Sequence, residues 1–172
     1  MTHEEIIALI RAGVSESQGI WADLGAGSGN FTRALRQLLG TKATIYAVDK
    51  DQRALTQLQR RVTPPIRIIN ADFTTPLDLP PLDGIVMANA LHWVGRQKQI
   101  LTNLVKHLKS NAPLIIVEYD VTIPRAYIPR PVPYTHFETL ALSAGLHNIA
   151  QIGNRKSPST GVTMYAGIAI KV

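Results

Sequence analysis

Asp23-Leu24-Gly25-Ala26-Gly27-Ser28-Gly29-Asn30 stands between two segments of different periodicity. Upstream, residues 19–24 form a short apolar run of strand type. Downstream, Phe31, Leu35, Leu38 and Leu39 recur at helical spacing, with Asn30 expected as the cap and Gly40 as the stop. Glycines between a strand and a helix adopt torsions other residues resist. They also let a ligand approach the main chain. The helix start adds unpaired N–H groups that suit an anion such as a carboxylate.

The glycines are spaced GxGxG. A dinucleotide fingerprint wants its third glycine one position later, where Asn30 stands, so an NAD reading is weakened. No Gly-Lys-Ser/Thr follows, which excludes a phosphate-binding Walker loop. Three further pieces lie at expected strand ends. Asp49 closes the run Thr44–Val48, 20 residues after Gly29, where a carboxylate accepts hydrogen bonds from ribose hydroxyls. Asn70-Ala71-Asp72-Phe73 leaves the strand Ile66–Asn70, and an acid followed by an aromatic suits an adenine edge. Leu82–Ala88 reads as a fourth strand opening into Asn89-Ala90-Leu91-His92-Trp93, a polar and aromatic turn.

Outside these pieces, Thr2 and Glu5 predict a capping box on a short helix with Ile6, Leu9 and Ile10 on one face, ended by Gly13. Asp51 caps a helix carrying Leu55, Leu58 and Val62, which Pro64-Pro65 terminates. Residues 95–108 show the cleanest helical stripe. Residues 114–119 read as an unbroken apolar strand buried on both faces. Residues 121–134 hold four prolines and read as a crossing loop. A helix over 136–144, closed by Gly145, and strands near 147–152 and 163–170 complete the chain. Five alternations of strand and helix imply an α/β fold with a parallel sheet covered on both faces. Ligands on such sheets bind beyond the carboxyl ends of the strands.

The 172 residues suit a single domain over 1–172, with an N-terminal helix and loop over 1–17. An apolar fraction of 45% against 17% charged is enough to build a core. No apolar run nears the roughly 18 residues of a membrane span, and the N-terminus has no signal-peptide pattern. No membrane partner and a cytoplasmic setting are therefore expected. The absence of cysteine excludes disulfides, thiolate catalysis and cysteine metal sites. The histidines make no metal-ligand spacing, so no metal is expected. A net charge of +6 allows a nucleic-acid partner, but the basic residues are scattered, and a generally basic surface is the favoured reading.

The segments DLGAGSGNF, AVDKD, NADF and DGIVMANALHWV, in this order, resemble the successive motifs of the class I S-adenosylmethionine-dependent methyltransferases. The likeness is to the small bacterial domains that act on small molecules. It covers about residues 18–120 closely, and the remainder in element order. It implies a three-layer, Rossmann-like, seven-stranded sheet whose antiparallel last strand is inserted beside the sixth. It implies S-adenosylmethionine as cofactor. Asp23, Gly25, Ala26, Gly27 and Gly29 would lie along its methionine part, Asp49 on the ribose, and Lys50 near the adenine. Asp72 and Phe73 would hold the adenine edge, and Asn89 would border the methyl end. The chain departs from the pattern in three places. Ala-Asn-Ala-Leu replaces the Asn/Asp-Pro-Pro-Tyr of DNA amino-group methylases. Ser110-Asn111-Ala112-Pro113 replaces the usual Gly-Gly. The segments that often form a substrate lid are short.

Methyl transfer from a sulfonium is an in-line displacement, in which alignment carries much of the barrier. The catalytic residue is open, with His92 and Tyr119 as candidates; a structural role for His92, bonding a backbone carbonyl, is expected. His92, Trp93, Tyr119 and the loop carrying Arg130 are expected to bound an acceptor site; Arg130 itself reads as a solvated loop charge, with contact to an anionic acceptor as the alternative. A small-molecule methyltransferase, monomeric or homodimeric, leads. An RNA or protein methyltransferase and a non-catalytic binding module are the alternatives.

Overall fold

The computed structural model describes residues 1–14, 18–157 and 160–172. Part of the expected N-terminal loop, residues 15–17, lies outside them. In chain order the elements are α1 (His3–Ile10), β1 (Ile20–Leu24), α2 (Asn30–Leu39), β2 (Thr44–Asp49), α3 (Gln52–Arg61) and β3 (Ile66–Asn70). There follow β4 (Gly84–Ala88), α4 (Gln97–Leu104), β5 (Pro113–Tyr119), α5 (Tyr134–Ser143), β6 (Leu146–Lys156) and β7 (Thr163–Lys171).

The seven strands form one sheet in the order β3-β2-β1-β4-β5-β7-β6. β1 pairs in parallel with β2 and β4, and β5 continues in parallel from β4. β7 is antiparallel to both β5 and β6, and lies between them. The implied Rossmann-like topology is therefore the observed one. Between β1 and β4 the chain changes its direction of progress across the sheet, which opens a crevice at their carboxyl ends.

Side chains alternate between the two faces of each strand. Trp21, Ile45, Val86, Ile115 and Val117 pack with α1 and α2, while Ala47 packs with Leu55 and Leu58 of α3. Ala22, Leu24, Met87, Leu114 and Ile116 pack with α4 and α5 on the other side. Three layers result.

Several local expectations are corrected. Gly29, at φ +86°, caps α2, and Asn30 is its first helical residue. A left-handed N-cap favours glycine over asparagine. β1 begins at Ile20, because Gly19 has φ +105° and its carbonyl accepts from Thr44 N–H instead. β4 begins at Gly84. Leu82 makes only an isolated bridge with Leu108, and the Asp83 carboxylate accepts from Ile20 N–H and Lys109 Nζ. The stripe over 95–108 is regular α-helix only over Gln97–Leu104. Residues 105–107 tighten into a 3₁₀ turn, and the His107 carbonyl accepts from Leu82 N–H at 2.7 Å. α5 starts two residues early, at Tyr134, because Pro133 already has an extended cap conformation and Asp120 Oδ1 accepts from Tyr134 N–H. The crossing loop thus ends at Pro133. The run through β5 is not unbroken: its sixth residue is Glu118, 1% exposed. The last two strands extend to Lys156 and Lys171.

Candidate functional site: a cleft at the carboxyl ends of β1, β2 and β4

The glycine turn is tied down from behind. Gly25 and Ala26 both donate their N–H to the Val48 carbonyl, at 2.9 and 3.1 Å. On the outside, Arg61 of α3 donates to the Ser28 carbonyl and to Asn30 Oδ1, at 2.9 and 3.0 Å. The two sides of the turn are asymmetric. A Cβ on Gly25 would stand 2.6 Å from Ala90 Cβ, so β1 and the turn after β4 approach as closely as glycine permits. A Cβ on Gly27, at φ +53°, would meet no atom of the described residues within 4 Å. The main chain at Gly27 therefore faces open space.

Asp49 sits under that edge. Its Oδ2 accepts from Gly27 N–H and its Oδ1 from Asp51 N–H, both at 2.8 Å. The Asn70 side-chain amide donates to the Asp49 and Lys50 carbonyls, at 3.1 Å each, and so locks β3 to the end of β2. Asp72 Oδ1 accepts from Thr74 N–H and Thr74 Oγ1, and Lys50 Nζ lies 3.4 Å from Asp72 Oδ2. The Thr74 N–H bond, chiefly, holds the Asp72 carboxyl below its ordinary range.

Asp23 is buried beneath the turn. Thr32 Oγ1 donates to its Oδ2 at 2.6 Å, and Oδ1 has no partner among the described residues. Burial pushes the Asp23 carboxyl up to about 7, against the Thr32 bond and with help from the nearby charge of Asp49. Asn89, at φ +51°, donates its N–H to the Val117 carbonyl, and its buried Oδ1 also lacks a partner among the described residues. Two buried acceptors without donors thus stand at the ends of neighbouring strands, an arrangement that calls for a donor from outside.

A cavity of about 320 Å³ gathers Gly25, Gly27, Asp49, Lys50, Asp72, Phe73, Asn89 and Trp93, together with Thr74, Ala90 and Val94. That is the size of a small-ligand pocket. Asp23, Ala26 and Gly29 are not in its wall: Asp23 lies below it, Ala26 packs with α3, and Gly29 caps α2.

Comparison with known proteins identifies the frame. A family model described as a methyltransferase domain matches residues 22–111. The chain belongs to that family. Over 87 residues this methyltransferase domain is 37% identical to the release factor glutamine methyltransferase of Mycobacterium tuberculosis (strain CDC 1551 / Oshkosh); the stretch is 48% of this chain and 29% of that protein. The chain thus spans less than a third of that relative's length. Its fold is similar to that of a SAM-dependent methyltransferase from Aquifex aeolicus, at 19% identity and TM-score 0.75, over 99% of this chain and 89% of the other. It is also similar to the Burkholderia thailandensis 1,6-didemethyltoxoflavin-N1-methyltransferase with bound 1,6-didemethyltoxoflavin and S-adenosylhomocysteine. There the identity is 16% and the TM-score 0.76, over 99% and 78% of the two chains.

The residues expected to bound an acceptor site in this methyltransferase domain are not all placed as expected. His92 is 2% exposed and does not present a surface to an open cleft. Its Nδ1 donates to Glu118 Oε2 at 2.6 Å, not to a backbone carbonyl. Glu118 Oε1 also accepts from the N–H groups of Leu91 and His92, at 2.9 and 3.2 Å. A buried carboxylate needs several donors, and the turn after β4 supplies three. Trp93 is 57% exposed and stands in the cavity wall. Tyr119, half-buried at the end of β5, places its ring 6.1 Å from that of His92. Burial raises its hydroxyl above the ordinary tyrosine range. Arg130 is exposed; its Nη1 donates to the Trp93 carbonyl at 3.3 Å and its N–H to the His92 carbonyl at 3.2 Å. Sequence reasoning missed Glu118, Thr32, Arg61 and Thr74. Only Glu118 carried a signal, as a lone carboxylate inside an apolar strand.

Proposed function

We propose that this chain transfers a methyl group from S-adenosylmethionine to a small-molecule acceptor by in-line displacement. The observation that carries the reading is the single cavity that gathers Gly25, Gly27, Asp49, Asp72 and Asn89 at the switch point of the sheet. Its chemistry fits the donor. The methionine part carries an ammonium and a sulfonium, and Asn89 Oδ1, in the cavity wall and without a donor among the described residues, is an acceptor suited to positive charge. In this reading the main chain at Gly25 and Gly27 lies along the methionine part. Asp49 accepts from the ribose hydroxyls. Asp72 and Phe73 hold the adenine edge, with Lys50 beside it, and Asn89 borders the methyl. The donor supplies an activated methyl carbon, so the chain's task is alignment of the acceptor and exclusion of competing water.

A protein acceptor is the second reading, favoured by the 37% identity to the release factor glutamine methyltransferase. Calorimetry with S-adenosylmethionine, S-adenosylhomocysteine and NAD tests the cofactor. Tighter binding of NAD would overturn it. Transfer of labelled methyl to a metabolite panel, to RNA and to ribosomal and release-factor proteins separates the acceptor classes.

A further inference from the structure

Beyond the cofactor cleft, the carboxyl ends of β4 and β5 carry a wall of four rings. Trp93 stands 5.2 Å from His92, His92 6.1 Å from Tyr119, and Tyr119 6.0 Å from Tyr127, measured between ring centroids. The first ring is also part of the cofactor cavity, so the wall begins where the donor cleft ends. Its outer members are open: Trp93 is 57% exposed and Tyr127 39%. Large aromatic surface left in water on a protein otherwise able to bury it marks a contact site.

Two guanidinium groups flank the wall. Arg125 and Ile128 exchange backbone hydrogen bonds at 3.0 and 2.9 Å, and the buried Ile128 anchors this tight turn. Arg125 Nη1 donates to the Tyr127 hydroxyl at 3.2 Å, which keeps the guanidinium beside the ring. Arg130 reaches the Trp93 carbonyl at the other end. The acids nearby are occupied: Glu118 is buried on His92, and Asp120 Oδ1 accepts from Tyr134 N–H. The wall therefore offers the exposed rings of Trp93 and Tyr127 and the half-buried ring of Tyr119, backed by the buried His92, with planar cationic groups at both ends.

We propose that this wall selects a planar aromatic acid as the methyl acceptor. The inference rests on the methyl-transfer reading and names its substrate class. Aromatic faces favour an aromatic partner over an aliphatic one of equal size, and a guanidinium grips a carboxylate through paired N–H groups. Successive rings are inclined by 45°, 60° and 74°. Rings so inclined are not the parallel platforms on which a strand of bases stacks, so they suit one flat molecule laid on an exposed ring better than a single strand. In the transfer, a lone pair on a heteroatom attached to the ring of the acid, such as a phenol oxygen, forms the new bond to the methyl carbon. The carbon–sulfur bond breaks with its pair kept by sulfur, and a proton lost from the heteroatom passes to water.

The chain has two tryptophans, of which Trp21 is 2% exposed, so binding at the wall is read by the fluorescence of Trp93. The protein saturated with S-adenosylhomocysteine is titrated with 4-hydroxybenzoate, with 4-hydroxybenzyl alcohol and with 4-hydroxycyclohexanecarboxylate, and calorimetry gives the affinities. The aromatic acid should bind at least about tenfold more tightly than either of the others, and should alter a signal that Trp93→Phe removes. Arg125→Gln should lower the preference over the alcohol by about fivefold or more, and leave the preference over the alicyclic acid in place. A preference below tenfold over either analogue, or a ratio unmoved by Arg125→Gln, overturns the proposal. So does tighter binding of a short oligouridylate with the same Trp93 response. Binding of S-adenosylhomocysteine without any response to the aromatic acid removes this inference alone. Failure of S-adenosylhomocysteine to bind removes the methyl-transfer reading and with it an acceptor role for the wall.

Discussion

His92 Nδ1 and Glu118 Oε2 lie 2.6 Å apart, in a buried pair that joins the turn after β4 to the end of β5. The same carboxylate accepts from the Leu91 and His92 N–H groups, so three donors from one turn converge on one side chain. Glu118→Leu leaves all three unpaired. It should cost about 3–5 kcal/mol, the range for breaking a buried pair from one side. Glu118→Gln keeps an acceptor oxygen and should cost about 1–3 kcal/mol. Urea denaturation gives both values, and a loss under about 1 kcal/mol in Glu118→Leu would show that the turn is held by other contacts.

His92→Asn should keep cofactor affinity and lower methyl transfer by less than about a hundredfold, the lower end of general-base effects. With Nδ1 held by Glu118 and the ring buried, its first role is to shape the turn. Single-turnover transfer between pH 6 and 9 is the measurement. A larger loss, together with disappearance of the acidic limb of the pH profile, would make His92 the base.

Asp49→Ala should weaken S-adenosylmethionine binding by about 1–3 kcal/mol, as for charged hydrogen bonds unmade, while the domain stays folded. Gly27 and Asp51 each lose one acceptor in this variant. Calorimetry on the folded variant decides it, and unchanged affinity removes Asp49 from the ribose.

Gly25→Ala and Gly27→Ala should fail in different ways. At Gly25 the new methyl meets Ala90 Cβ at 2.6 Å and φ is +80°, so folding suffers. At Gly27 the space is empty, and the variant should fold at a cost of about 1–2 kcal/mol for its left-handed torsion. The added methyl then occupies the cleft, and cofactor affinity falls. Thermal melts beside calorimetry separate the two. Equal cofactor binding by Gly27→Ala and the unaltered protein would place the ligand elsewhere.

Asp23 makes stability depend on pH. Its folded-state pKa, pushed up to about 7, lies above the ordinary aspartate value that the unfolded chain has. Between about pH 4 and 7 the folded state binds the extra proton, so stability falls as pH rises through that window. A shift of this size amounts to something on the order of 4 kcal/mol. Asp23→Asn should flatten the dependence and be the more stable protein at pH 8. Denaturation midpoints at pH 5, 6.5 and 8 test this, and parallel curves for the two proteins would refute it.

Local sequence determined the element types and the strand-end positions of the cofactor-side candidates. Apolar period, caps and glycine turns act within a few residues, so α2, α3 and the run from Asp23 to Gly29 were legible directly. Asp49, Asp72 and Asn89 could be set at strand ends because each follows an apolar run. Strand order was not legible from those patterns; only the likeness to a family implied that the last strand is inserted beside the sixth. Tertiary structure alone decided the rest. Glu118 and His92 are 26 residues apart, and nothing local says that a carboxylate in β5 meets a ring beyond β4. The oxygens of Asp23 and Asn89 without a donor among the described residues, and the ladder from Trp93 to Tyr127, likewise arise where segments distant in sequence are packed side by side. Burial and partnership belong to the packed chain, and a one-dimensional pattern carries them only when the partners share an element.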